Sequence, residues 1–162
     1  MWRMIFCKGG FMKSLLMIVV GLVLVGFLAY IVMAVLSQKQ PDDLGLHDGM
    51  LKPCPDSPNC VCSESHSKDD TQHFIQAIAG NDKTWTRFKQ VIIELGGDIE
   101  TDQGEYMHIT FSTPIFHYVD DVEARFDRDE GLIHVRSASR IGRSDFGVNR
   151  KRIEMIKKAL LD

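Results

Sequence analysis

From Ser14 to Leu36 the chain carries no charged residue and no proline: after the leading serine it reads LLMIVVGLVLVGFLAYIVMAVL. As a helix rising 1.5 Å per residue this run is about 34 Å long, enough to cross a hydrocarbon core of about 30 Å with modest tilt. It reads as a transmembrane helix, and it decides which compartment the rest of the chain occupies. Arg3, Lys8 and Lys13 precede it without an acid, whereas Lys39, Asp42 and Asp43 follow it. The positive-inside bias therefore places the N-terminus in the cytoplasm and everything after residue 36 outside, periplasmic or extracellular. The rival reading is a cleaved signal peptide, for which Val32 and Ala34 offer a small-residue site. Its apolar region, however, ordinarily spans only about 7 to 15 residues, so a retained single-pass anchor in the cytoplasmic membrane is expected. Gly21 and Gly26 are one residue too far apart for the small-xxx-small pairing motif.

The domain organisation follows. Residues 1–13 form a short cytoplasmic tail, 14–36 the span, 37–49 a polar, proline-bearing, acidic tether, and 50–162 one exported domain large enough to bury its own core. Three of the 19 basic residues precede the span, which leaves 16 against 22 acidic residues and a formal charge of −6 on the exported part. That balance argues against nucleic acid as a partner and gives no general attraction to an anionic lipid surface.

Compartment governs how the cysteines read. Cys7 lies on the cytoplasmic side and stays reduced; Cys54, Cys60 and Cys62 face an oxidising space in which disulfides persist. In KPCPDSPNCVCSE three prolines stiffen the segment, and Cys54 and Cys60 enclose five residues that can close into a turn. A Cys54–Cys60 disulfide is favoured; Cys54–Cys62 is the alternative, since geometry and not sequence settles connectivity. His47, His66 and His73 flank these thiols, but their spacing matches no recognised ligand pattern, and neither Cys-x-x-Cys nor Cys-x-x-Cys-His occurs. No metal and no cofactor are expected.

Beyond this segment the periodicity is legible. Trp85, Phe88, Ile92 and Leu95 recur at helical spacing, with Asn81 or Asp82 to cap the start and Gly96–Gly97 to stop it. In EYMHITFST, Met107, Ile109 and Phe111 alternate with Tyr106, His108 and Thr110; in DVEARFD and GLIHVRS, Val122, Ala124 and Phe126 and then Ile133 and Val135 face inward. Ile99 suggests a further short strand, and Ile153, Ile156 and Leu160 a final amphipathic helix. The expected fold class is α+β, an antiparallel sheet of about four strands with helices packed on one face. Pairing Phe126 with Ile133 and Ala124 with Val135 sets Glu123 opposite Arg136 and Arg125 opposite His134 on the other face, expected to be solvated. Ile115, Phe116 and Tyr118 are expected as core filling, with a membrane-near aromatic contact as the alternative.

Where the last strand leads into the last helix, VRSASRIGRSDFGVNRKRIE, the cations Arg150, Lys151 and Arg152 stand near a helix start, where the dipole disfavours them. Two readings compete. Asp120, Asp121 or Asp145 compensates them structurally. Alternatively, Ser137, Ser139 and Ser144 with Arg136, Arg140 and Arg150 and free helix amides form an anion cradle, with Gly142 and Gly147 permitting close approach.

The segments LGLHDGMLKPCPDSPNCVCS, IFHYVDDVEARFD and VRSASRIGRSDFGVNRKRIE, in that order, resemble the hallmark segments of domain-of-unknown-function family 1499, a group of uncharacterised bacterial and plastid-related proteins. The resemblance runs from about Leu44 to the C-terminus and implies membership without an established reaction. By position the family's characteristic residues match Pro53, Cys54, Pro55, Ser57, Pro58, Asn59, Cys60, Asp120, Asp121 and Glu123. They also match Arg136, Ser137, Ser139, Arg140, Gly142, Ser144, Asp145, Gly147, Asn149 and Arg150. Cys62 departs from the pattern, where serine is usual, which agrees with a two-cysteine bridge. The expected function is a non-catalytic binding or assembly module whose Asp/Arg/Ser cluster holds a small anionic ligand or a membrane-protein partner. The alternative is an enzyme acting on an anionic substrate, with Asp120 or Asp121 and His108 or His134 as acid and base. Against it, adjacent aspartates on a strand point to opposite faces, and no nucleophile elbow, P-loop or zinc helix is present.

Overall fold

The computed structural model describes residues 8–161 and places the apolar run in helix α1, Lys8–Ser37. Arg3 and Cys7 lie outside the described residues. The helix starts earlier than the uncharged run, and Val32 and Ala34 lie within it. Among the described residues it is the one helix long and apolar enough to cross a membrane, and its apolar window is unburied. An uncharged, apolar surface on all sides of that window suits a helix facing lipid.

A second unit begins at Ser37. Its main sheet has the order β3 (Cys60–Cys62), β8 (Leu132–Ser139), β7 (Val119–Asp127), β6 (Tyr106–Ser112) and β5 (Asp98–Asp102), all antiparallel. A sixth strand, β4 (Ile78–Ala79), pairs with the start of β8 beside β3. Two short strands, β1 (Leu46–His47) and β2 (Met50–Leu51), form a separate hairpin. The sheet is thus larger than the four strands expected. The additions are segments of two or three residues whose pairing partner, β8, is remote in sequence, so periodicity cannot register them.

Helix α2 (Asp82–Glu94) opens on Asn81, whose side-chain oxygen accepts from the Lys83 and Thr84 amides, and it closes at Gly96, φ +82°. A side chain on Gly97 would meet the Phe111 ring at 2.6 Å, so the stop signal also serves close helix–sheet packing. Helix α3 (Val148–Ala159) follows β8. Trp85, Phe88, Val91 and Ile92 of α2 and Ile153 and Ile156 of α3 close over Met107, Ile109, Val122, Ala124, Ile133 and Val135 in one apolar core. At about 25 cal/mol per Å² of apolar surface removed from water, this face is the main source of stability.

The predicted register of β7 and β8 holds: Phe126 faces Ile133, Ala124 faces Val135, Glu123 faces Arg136 and Arg125 faces His134. The expected solvation of those last four residues does not. Glu123 and His134 are buried and the Arg125 and Arg136 side chains are only 13% and 12% exposed. The stretch from Gly45 to Glu64 hydrogen-bonds onto this second face through the Gly45 amide, which donates to Glu123, and the Glu64 carboxylate, which accepts from Arg125, while the Leu51 amide donates to Glu64 within the stretch; together they displace water from the face. Ser37 is buried as well, its hydroxyl accepting from the Val119 amide at 2.6 Å.

Candidate functional site

Alternation along β6, β7 and β8 sends polar side chains to the face opposite the helices, where they pair in three groups. Asp121 receives Nε and Nη2 of Arg140 at 2.9 and 2.8 Å and lies 2.7 Å from Nε2 of His108. Glu123 accepts from the Tyr106 hydroxyl, the Gly45 amide and Arg136, at 2.8, 2.8 and 3.1 Å. Glu64, at the end of the Cys-rich segment, accepts from Nε and Nη2 of Arg125 and from the Leu51 amide. Burial alone raises the Asp121 and Glu64 carboxyls; the donors around them outweigh it, and both are held below the ordinary carboxylate range. The Tyr106 hydroxyl is pushed far up by burial and by the Glu123 charge, so it stays a proton donor.

The helix-side face carries a second, separate network. Arg152 donates to Asp120 at 2.6 Å, to Asn149 at 2.7 Å and to Ser137 at 3.1 Å, and lies over the Phe111 ring. The Asn149 side-chain amide donates to the Asn59 carbonyl, to Ser139 and to Asp145. Asp145 also accepts from the Gly147 and Asn149 amides at 3.0 and 2.7 Å, so a carboxylate of the chain itself occupies the start of α3. Arg150 donates to the Phe74 and Gln72 carbonyls at 2.9 Å each, fastening the 72–74 stretch.

These positions divide the residues nominated from sequence. Asp120, Ser137, Ser139, Asp145 and Asn149 come together on the helix side; Asp121, Arg136 and Arg140 lie on the opposite face. Ser144 accepts from the Phe146 amide in the loop before α3. The sheet therefore separates the two halves of the cradle; of the cations near the α3 start, Arg152 meets Asp120 and Arg150 meets backbone carbonyls. Sequence reasoning did not find Glu64, although the Arg125–His134 register pointed to a layer in need of an acid.

The Cys54–Cys60 disulfide is present, and Cys62 is a buried free thiol. Burial pushes that thiol up, more than the Glu64 and Ser67 hydrogen bonds lower it. His66 Nε2 is 3.9 Å from its sulfur. His73 bonds Asp70 and the Ser57 carbonyl, tying down the segment after the Cys-rich stretch. Among the described residues no group of three or more His, Cys, Asp or Glu side chains could hold a metal ion.

One concavity adjoins these networks. A cleft of about 300 Å³ on the polar face is lined by Gln38, Gln40, Asp98, Glu100, Thr110, Ser112, Val119 and Arg140. Asp98 and Glu100 are exposed on edge strand β5, and Thr110 donates to Glu100 at 2.9 Å. Among the described residues neither acid forms an ion pair, whereas Arg140, which also lines the cleft, is neutralised by Asp121. The cleft offers hydrogen-bonding groups of both kinds and a negative charge excess.

A family model described as a protein of unknown function (DUF1499) matches residues 50–160, from the β2 strand through the last helix. No curated protein gives a significant match, and no solved structure does.

Proposed function

We propose, for a chain that belongs to the DUF1499 family, a single-pass protein whose apolar helix is a retained anchor and whose exported domain is a non-catalytic binding module. The three basic residues before the uncharged run and the disulfide after it support this orientation. The observation that carries the non-catalytic reading is the internal neutralisation of the arginines: Arg140, Arg136, Arg125 and Arg152 each meet a buried carboxylate of the chain. A guanidinium held that way is not available to an anionic substrate, and His108, 2.7 Å from Asp121, is buried behind the same layer.

The binding surface is the polar cleft rather than the Asp/Arg/Ser cluster. Asp98 and Glu100, which form no ion pair among the described residues, favour a hydrophilic ligand with cationic or hydroxyl groups over the anion expected from sequence. Native mass spectrometry of the full chain in detergent tests this. A retained amine- or hydroxyl-bearing molecule, lost from a Glu100→Gln/Thr110→Val variant with an unchanged unfolding midpoint, is the expected result. A retained anion that survives those substitutions contradicts the site. An unliganded chain found with a membrane-protein partner instead makes the domain an assembly module.

A further inference from the structure

We propose that the β6–β7 loop, residues 113–118, is an interfacial lipid contact that inserts Ile115 and Phe116 among the headgroups of the outer leaflet. The inference rests on α1 being a retained span.

The loop, TPIFHY, contains no Asp, Glu, Lys or Arg in a domain rich in all four. Contrary to the core-filling expectation, Ile115 is 75% and Phe116 49% exposed. The tip is nevertheless built. The Thr113 amide donates to the Tyr118 carbonyl at 2.9 Å, the His117 amide to the Thr113 carbonyl at 3.0 Å, and the Tyr118 amide to the Thr113 hydroxyl at 3.0 Å. His117 adopts φ +51°, and Phe116 stacks on Tyr118 with ring centroids 5.7 Å apart. A preformed apolar tip loses little conformational entropy when it enters an interface.

Its position in the chain selects the occupant. Ser37 is the last residue of α1 and Gln38 the first after it. The Gln38 side chain donates to the His117 carbonyl at 2.8 Å, and the Ser37 hydroxyl accepts from the Val119 amide, the residue that follows the loop. Chain continuity puts residues 37 and 38 where a spanning helix leaves the hydrocarbon, so the loop is tied to the level at which aromatic side chains favour the headgroup boundary. Because the anchor already holds the domain there, insertion is intramolecular and needs little intrinsic affinity. An apolar tip also suits a domain of net negative charge, which gains nothing from anionic headgroups.

The test uses the full chain in phosphatidylcholine vesicles, with Cys7→Ser and Cys62→Ser and a single environment-sensitive fluorophore at Ile115→Cys, Phe146→Cys or Val25→Cys. Phe146 is 90% exposed on the loop before α3 and serves as the reference. The expected result at position 115 is blue-shifted emission, quenched about twofold more by a nitroxide near the top of the acyl chain than by one near its end. At position 146 emission is water-like and unquenched; at position 25 the deeper nitroxide quenches more. A water-like, unquenched probe at 115 overturns the inference, and so does a blue-shifted probe that neither nitroxide reaches, which means a protein contact. If the position 25 probe is itself unquenched, the anchor reading fails, and that failure is distinct from the failure of the loop alone.

Discussion

Arg125 holds Glu64 through two hydrogen bonds, Nε to Oε1 at 3.0 Å and Nη2 to Oε2 at 3.1 Å, across 61 residues of chain. The pair joins the central strand β7 to the end of the Cys-rich segment, and Glu64 is 1% exposed. Arg125→Met leaves that carboxylate buried without its main partner, at an expected cost of about 3–5 kcal/mol. The double variant Glu64→Met/Arg125→Met removes both charges and is expected to recover most of the loss. Urea unfolding of the two variants measures the difference, and equal destabilisation by both would refute a pairwise origin.

The same layer sets an acid limit. Asp121 and Glu64 have folded-state acidities stronger than their unfolded ones, so their contribution is complete above the unfolded range near pH 4 and declines as pH falls through the lower folded values. Thermal unfolding is therefore expected to be flat above about pH 5 and to weaken steeply below pH 4. Asp121→Asn, destabilised at neutral pH, is expected to show a shallower acid decline. A variant curve parallel to the parent's would remove Asp121 from the account.

Cys62 is expected to resist modification. It is fully buried and its thiol is pushed up, so thiolate is scarce at neutral pH. Peptide mapping after iodoacetamide treatment is expected to find Cys62 unmodified in the folded chain and alkylated in denaturant. Loss of the Cys54–Cys60 bridge, which closes a short loop, is expected to cost about 2 kcal/mol. Rapid native alkylation of Cys62 would mean that the segment opens.

At the start of α3, Asp145 satisfies the Gly147 and Asn149 amides that an anion would otherwise find. Asp145→Ala is expected to cost about 1–2 kcal/mol. Ser144→Ala, which loses one 3.3 Å contact in an exposed loop, is expected to change stability by less than about 0.5 kcal/mol. Thermal melts of the two variants separate these values, and equal shifts would deny Asp145 its capping role.

What could be read from sequence was local and periodic. Alternation in β6, β7 and β8 gave the core face and the β7–β8 register, Asn81 and Gly96 gave the limits of α2, and the apolar run gave α1. Alternation could say which residues share a face but not what covers it. The lid over Glu123 and Arg136 comes from the Gly45–Glu64 stretch, whose irregular, proline-rich composition carries no period. The short strands β3 and β4 were missed because each depends on β8, about 55 to 75 residues later, a distance no local pattern encodes. For the candidate site, alternation told that Asp120 and Asp121 point to opposite faces, but not which partner each would meet. Asp120 meets Arg152 beneath the helices and Asp121 meets Arg140 on the opposite face, partners 32 and 19 residues away that no local pattern names. The cleft was invisible because Gln38, Asp98 and Ser112 are ordinary surface residues until folding brings them together.

A structural role for the buried arginines is tested by the urea unfolding free energy of Arg140→Met in the full chain, reconstituted in lipid nanodiscs. The side chain is 7% exposed, makes two bonds to Asp121 and reaches the Ser37 and Gln38 carbonyls. The expected result is a loss of about 3–5 kcal/mol with an unchanged denaturant slope. A variant as stable as the parent would contradict the claim and return Arg140 to the role of a free, ligand-facing cation.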